Sequence, residues 1–200
     1  MPVWLGIVMT QPSSPDPLTN LDPRRRRFRA TRDAEARVLL LIDGFSSKTT
    51  GPRTLEGRVK LAKLDFLLRY PKHLATVLTN RGVKESVRHE LVLQDSPLES
   101  NMMRYRYGPW DPSYFAILGS LVGRGLVDVI PAQATSAIGY RTTAVGAALA
   151  EEFTNDGAFD ELIGRIKLLR KHLDLTGETL KKLLYELPEV ADAAWHEDVR

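Results

Sequence analysis

The stretch MMRYRYGPWDPSYFAILGSLVGRGLVDV, residues 102–129, decides the fold of this chain. Asp111 and Pro112 predict a helix start, because an aspartate side chain accepts hydrogen bonds from unpaired N–H groups and proline fits the first helical position. We expect the helix to end at Gly125, since glycine adopts the left-handed conformation common at helix ends. Its apolar side chains should be buried: Phe115, Ile117, Leu118, Leu121 and Val122.

Aromatic and basic residues precede this helix. Their near-alternation predicts a short strand or extended arm that packs across the helix start. Two interpretations of the aromatic set stay open, core packing and an interface hot spot; the set is Tyr105, Tyr107, Trp110 and Tyr114. Arg104, Arg106 and Arg124 either cover aromatic rings at the surface or bind phosphate. Because the helix itself offers only Arg124 and several small side chains, the pattern disfavours base-specific DNA recognition.

Three amphipathic helices are expected before this stretch. The first begins near Asp33 as N-cap, and the third is PKHLATVLTNRG, ended by Gly82. The second, TLEGRVKLAKLDFLLRYP, places one stripe of Leu55, Val59, Ala62 and Phe66 towards the core and leaves its cations for the edges, namely Arg58, Lys60, Lys63 and Arg69. Asp43 and Asp65 lie in apolar helices and are expected to be capping or salt-bridged.

After the stretch, LVDVIP and IGYRTT predict a β-hairpin, and three further helices follow it. The predicted fold class is α+β, mostly α, with a winged helix-turn-helix core, a small β-hairpin wing and C-terminal helices. We expect a disordered basic arm over residues 1–32, a winged-helix-like domain over 33–154 and a C-terminal helical extension over 155–200.

Composition indicates a globular chain of 200 residues without cysteine, which excludes disulfides and thiolate chemistry. The N-terminal apolar run fits neither a secretory signal nor a membrane span, so we expect a cytoplasmic protein. The formal net charge is +3, but residues 1–32 carry six arginines against two aspartates, so the remainder is slightly acidic. Basicity therefore belongs to the arm, whose run Arg24, Arg25, Arg26 and Arg27 is a candidate nucleic-acid contact.

Several segments resemble one family. RYRYGPWDPSYFAILGSLVGRGLV and YRTTAVGAALAEEF are similar to the aromatic arm, YGP turn, helix, wing and Y-x-(L/T)-T-x-x-G junction of winged-helix proteins. Together with ARVLLLIDGFS and LEGRVKLAKLDFLLRYPKHLATVL, they resemble the middle component of bacterial ABC-three-component, Lamassu-like defence systems, over about residues 36–153. The resemblance implies a non-enzymatic adaptor that bridges an SMC-like ATPase and a nuclease-type effector in antiviral defence.

The predicted partner-binding residues are the basic helix edge and the aromatic arm, namely Arg58, Lys60, Lys63, Arg69, Arg104, Arg106, Tyr107 and Trp110. The alternative function is a DNA-binding winged-helix regulator that uses Arg24 to Arg27 and Arg141. A homodimer, formed through exposed leucines such as Leu180, Leu183 and Leu187, stays open as a third reading. We predict no catalytic, cofactor-binding or metal site, since no nucleotide-binding or hydrolase motif occurs and the four histidines are scattered.

Overall fold

The computed structural model describes residues 30–46, 54–86, 102–105, 108–131, 138–194 and 198–199, with backbone only at 103–105 and 198. The helices are α1 Arg32–Phe45, α2 Arg58–Arg69, α3 Pro71–Asn80, α4 Tyr114–Gly123, α5 Ala144–Asp156, α6 Asp160–His172, α7 Gly177–Leu184 and α8 Pro188–Ala191. The strands are β1 Leu55–Glu56, β2 Met102–Tyr105, β3 Gly108–Trp110, β4 Val127–Pro131, β5 Ile138–Thr142 and β6 Asp198–Val199. The expected α+β, mostly α class is confirmed.

Two small antiparallel sheets accompany the helices, with strand orders β1-β5-β4 and β3-β2-β6. In the first sheet Tyr140 of β5 lies between Leu55 of β1 and Val129 of β4. The pairing of β4 with β5 confirms the predicted hairpin. The further assignment of this arrangement to the winged-helix class stays a prediction.

Helix α1 is the centre of the core. Its residues from Val38 to Ile42 are all buried, and it packs against α2, α4, α5, α6 and β5. Thr31 rather than Asp33 is the N-cap, with its side chain accepting a hydrogen bond from the Ala34 N–H. Asp33 instead lies in the first turn, where a carboxylate is favourable beside the positive end of the helix dipole.

The second predicted helix begins later than expected. Leu55 is fully buried, but it is buried from strand β1, and Gly57 turns the chain with a φ of 75° before α2 starts at Arg58. Val59 is 39% exposed, so the predicted burial is confirmed for Leu55 and wrong for Val59, and the predicted helical placement of Leu55 is wrong. Pro71 begins α3 directly after the end of α2, and Gly82, at a φ of 72°, follows α3 as predicted.

The C-terminal helices share the core of the preceding ones. Helix α6 packs against α1 and α2, and α7 packs against α2. Leu180 and Leu187 are buried within the chain, and Leu183 is partly buried against the same core, so the expectation of an exposed leucine surface is wrong. No helix within the described ranges is both long and apolar enough to cross a membrane.

Candidate protein-binding surface

The four predicted cations of α2 divide into a surface pair and a buried pair. Arg58 is exposed, and its guanidinium carbon lies 4.8 Å from the centre of the Phe115 ring. Lys60 forms an ion pair of 2.9 Å with Asp174. Arg58 is therefore the member of the set that is most accessible to another molecule.

Lys63 was expected at a helix edge, and this placement is wrong. Its side chain is buried, and its Nζ donates a hydrogen bond of 2.8 Å to the carbonyl oxygen of Gly177 at the start of α7. Burial lowers the pKa of Lys63 to about 8, although the charge of Glu178 acts in the opposite direction. Lys63 thus joins α2 to α7 and does not face a partner.

Arg69 was also expected at an edge, and it is fully buried. Its Nη1 lies 3.0 Å from Asp111 and 4.0 Å from Asp65. Asp65 in turn accepts hydrogen bonds of 2.7 Å from Arg37 and 2.6 Å from the Tyr114 hydroxyl. We call Arg37, Asp65, Arg69, Asp111 and Tyr114 the buried network; it joins α1, α2 and α4.

The electrostatics of the buried network favour its charged form. Burial alone would raise the pKa of Asp65, but the charges of Arg37 and Arg69 and the hydrogen bonds from Arg37 and Tyr114 hold that pKa below its ordinary value. Burial and the charge of Asp65 raise the pKa of Tyr114, so its hydroxyl keeps its proton and donates. The expectation that Asp65 is salt-bridged is confirmed.

The start of α4 differs from the prediction. The helix begins at Tyr114, and Asp111 caps the preceding turn by accepting a hydrogen bond of 2.9 Å from the Ser113 N–H. Trp110, in β3, is partly buried and packs edge-on against Tyr114 and Phe115. Core packing is therefore the role of Tyr114, whereas Trp110 lies between the core and the surface.

One side of α4 is exposed and apolar. Phe115 and Val122, both expected to be buried, are 60% and 39% exposed. Gly119 and Gly123 are exposed beside them, and the helix has no charged residue between Tyr114 and Gly123. We call Phe115, Gly119, Val122 and Gly123 the α4 face.

Two arginines, one at the end of α4 and one on the hairpin, form ion pairs within the protein. Arg124, just after α4, lies 2.8 Å from Glu35 of α1. Burial opposes ionisation of Glu35, but hydrogen bonds from Ser120 and Arg32 and the charges of Arg32 and Arg124 hold its pKa below its ordinary value. Arg141, the predicted nucleic-acid contact of the wing, lies 3.8 Å from Asp128 across the hairpin.

A second exposed apolar area lies on the hairpin. Val129 is 45% exposed and Ile138 is 44% exposed, and Pro131 is exposed beside them. Ile138 pairs with Pro131, and side chains two residues apart on a strand share a side, so the three lie together. We call them the hairpin face; Asp128 and Arg141 lie on the opposite side of the sheet.

The remaining predicted contacts lie outside the described side chains. The backbone of Arg104 belongs to β2, but its side chain is not described. Arg106, Tyr107 and the run Arg24, Arg25, Arg26 and Arg27 fall outside the described residues altogether. Their predicted roles therefore stay predictions.

In the described part of the chain, no group of three or more histidine, aspartate or glutamate side chains is arranged to hold a metal ion. A cavity of about 480 Å³ lies between α1 and the α5–α6 junction, lined by Arg37 and Arg165. Both guanidinium groups already bind protein oxygens, of Asp65 and of the Leu68 carbonyl respectively.

The sequence contains a signal for the buried network but none for the exposed side of α4. A lone arginine inside the apolar run ARVLLLID and a lone aspartate inside KLDFLL point to a buried pair, and this signal could have linked Arg37 to Asp65. The exposed side of α4 had no such signal, because the helix is apolar all round.

The chain was compared with family models, curated proteins and solved structures. No family model matches it, and neither the curated proteins nor the solved structures include a significant match.

Proposed function

We propose that this protein is a non-enzymatic adaptor subunit that joins other proteins through the α4 face and the hairpin face. In this proposal it has a winged-helix core and bridges an SMC-like ATPase and a nuclease-type effector in a Lamassu-like antiviral defence complex. The family part of the proposal rests on the resemblance of the segments quoted above, among them LEGRVKLAKLDFLLRYP and RYRYGPWDPSYFAILGSLVGRGLV.

The observation that carries a protein-binding role is the exposure of apolar side chains on α4. In a winged-helix arrangement α4 stands in the position of the recognition helix and β4–β5 in the position of the wing. A helix that reads DNA presents lysine, arginine or amide side chains to phosphates and base edges. The α4 face instead presents Phe115 and Val122 beside two glycines. Large exposed apolar side chains gathered on one surface are typical of protein contacts.

The charges near α4 support the same choice. Arg124 is held by Glu35, and Arg141 lies beside Asp128, so both cations meet carboxylates of their own chain. A phosphate at either arginine would lie close to one of these carboxylates, whose negative charge opposes its binding. The alternative, a DNA-binding regulator, then depends on the arginine run before residue 30.

The hairpin face is the surface that we assign to the ATPase or the effector. Burying an exposed valine or isoleucine side chain stabilises a complex by about 1.5–3 kcal/mol at most. Val129 and Ile138 already lose part of this benefit because each is about half buried in the free protein. A charged residue at either position would be desolvated in the complex, which costs more than the lost apolar contact.

Co-expression with an SMC-like ATPase, the partner that the proposal names, tests the adaptor role. We expect a complex that stays together through size-exclusion chromatography. The double substitution Val129→Glu with Ile138→Glu should abolish co-elution while leaving the circular dichroism spectrum unchanged. Val145→Glu is the matched control, because Val145 is 64% exposed but lies on α5 and belongs to neither face. An unmodified protein that elutes alone would overturn the adaptor role.

A further inference from the structure

We propose that a second copy of this chain covers the α4 face, with the two α4 helices antiparallel and a twofold axis at Gly119. The inference rests on the proposed function in treating the α4 face as a protein contact, and it names the occupant of that face. The hairpin face then remains for the other subunits of the complex.

Phe115 is the projecting element of this interface. Its ring lies 5.9 Å from the Trp110 ring and 4.8 Å from the Arg58 guanidinium, so it is supported on two sides. Even so, 60% of the residue is exposed. A side chain that is held in place before binding loses less conformational entropy when it is buried, and such anchors favour tight association.

The glycines provide the matching depression. A Cβ atom added at Gly119 or Gly123 would meet nothing within 4 Å, so internal packing does not require glycine at either position. Glycine is unfavourable within a helix relative to alanine. Two exposed glycines one turn apart therefore leave a shallow groove in α4 over which a side chain from another helix can pack.

The projecting Phe115 and the two glycines lie along one ridge of α4, so the ring of one copy can pack against the glycines of another. Phe115, Gly119 and Gly123 are spaced four residues apart, and the outer two are about 12 Å from each other along the helix. A twofold axis at Gly119 places each Phe115 over Gly123 of the second copy. The same contact is made twice, as a closed symmetric dimer requires.

Charge favours the same arrangement. Helix α4 carries no charged residue, so two copies meet without repulsion between like charges. Arg58, beside Phe115, forms no salt bridge with another described residue. In the antiparallel dimer it approaches the C-terminal end of the second copy's α4, where the helix dipole is negative and a cation is favourable. The Arg124 charge at that end is offset by Glu35.

Sedimentation equilibrium of the full chain tests the proposal without any other subunit. We expect a monomer–dimer equilibrium with a dissociation constant below about 100 µM. Gly119→Leu should weaken dimerisation at least about tenfold, because the new side chain fills the groove on the axis. Gly164→Leu is the matched control: Gly164 is an exposed glycine within α6, with nothing near its missing Cβ, and its replacement should leave the dimer unchanged. A monomeric wild-type protein overturns the proposal, and so does a dimer that Gly119→Leu does not weaken.

A cysteine cross-link locates the axis independently of stability. The chain contains no cysteine, so Gly119→Cys introduces a single thiol. Across a twofold axis at this residue the two thiols can reach disulfide distance, and oxidation should give a covalent dimer. Gly164→Cys should stay monomeric on a non-reducing gel. Absence of the cross-link at position 119 overturns this interface. Loss of ATPase co-elution with the dimer intact would refute the adaptor role alone.

Discussion

Asp65 holds together three helices because it neutralises two buried arginines. Arg37 and Arg69 both lie within 4.0 Å of its carboxylate, and all three side chains are nearly or completely inaccessible to solvent. Asp65→Asn would remove a carboxylate charge from beside two buried cations. We expect the free energy of unfolding in urea to fall by about 3–5 kcal/mol. The control is Asp174→Asn, which removes a solvent-exposed partner of Lys60 and should cost less than about 1 kcal/mol.

The pH dependence of Asp65 follows from the same contacts. Its pKa in the folded protein is lower than in the unfolded chain, so the unfolded chain takes up the proton at the higher pH. The stability that Asp65 provides is therefore complete above about pH 4 and is lost as the pH falls through the folded pKa. Asp65→Asn should lack this contribution, and an equal loss of stability in both proteins on acidification would contradict the assignment.

Lys63 is expected to affect the free energy of unfolding at alkaline pH, whereas Asp65 affects it at acidic pH. Its pKa of about 8 in the folded protein lies below the ordinary value of 10.5, so between these values the unfolded chain binds more protons. The free energy of unfolding should therefore rise with pH across this window. Lys63→Met removes the titrating group, and the difference between the two proteins isolates its contribution. A difference that is independent of pH would show that Lys63 titrates normally.

The sequence predicted the salt bridge of Asp65, but it did not predict the partners of the buried charged residues. The salt-bridged state of Asp65 was expected, whereas its partner Arg37 lies 28 positions away along the chain, and such pairing is decided by tertiary packing. Lys63 and Arg69 were placed at the surface because lysine and arginine are rarely buried. The compensating groups, Gly177 and Asp111, lie on segments whose position relative to α2 the sequence does not reveal.

Among the elements, the junction between β5 and α5, in the sequence YRTTAVG, depends on a close approach at one glycine. Thr143 caps α5 by accepting a hydrogen bond of 3.0 Å from the Gly146 N–H, and its hydroxyl donates to the Gly125 carbonyl. A Cβ at Gly146 would lie 1.9 Å from the carbonyl oxygen of Leu126. The helix can approach the end of α4 only because this residue is glycine.

Gly146→Ala should therefore destabilise the protein despite the higher helix propensity of alanine. Backbone atoms of Leu126 must shift, and overpacking of this kind typically costs about 1–3 kcal/mol. Gly164→Ala, in an open position of α6, should instead stabilise the protein by up to about 1 kcal/mol. Thermal unfolding followed by circular dichroism measures both, and shifts of the same sign would contradict this view of the junction.

Helix α4 was predicted as an element, and its buried side was predicted in part: Ile117, Leu118 and Leu121 are buried as expected. The segment YFAILGSLVG is apolar or small at nearly every position, so its pattern does not indicate which side faces the core. Tyr114, Ile117, Leu118 and Leu121 take the core side, and Phe115 and Val122 are left at the surface. For α2, the positive φ at Gly57 separates Leu55 from the helix, an effect that periodicity alone does not reveal.

At the scale of the whole molecule, the helices after residue 154 are continuous with the rest of the core. Ile166 and Leu169 of α6 are buried in the cluster that contains Val38 and Phe45 of α1. Removal of residues 155–200 would expose these side chains of α1 and leave Lys63 without its acceptor. We expect the truncated protein to lose cooperative unfolding in urea. A sharp two-state transition of the truncated protein would show that residues 1–154 fold independently.

The class of the fold could be predicted because helices and a hairpin have local signals. The second sheet could not, since β2 and β6 are separated by almost the whole C-terminal half of the chain. The two exposed apolar faces were only partly predicted: the lack of cations on α4 was visible in the sequence, but the exposure of Phe115 and Ile138 depends on how the elements pack.

The most direct test of the proposed adaptor role is the affinity of the chain for the proposed partner, an SMC-like ATPase, at low and high salt, measured by calorimetry with and without duplex DNA. An apolar contact should keep its dissociation constant within about threefold between 50 and 500 mM salt, and duplex DNA should not compete. A loss of affinity of about a thousandfold with added salt, or displacement by DNA, would contradict the account.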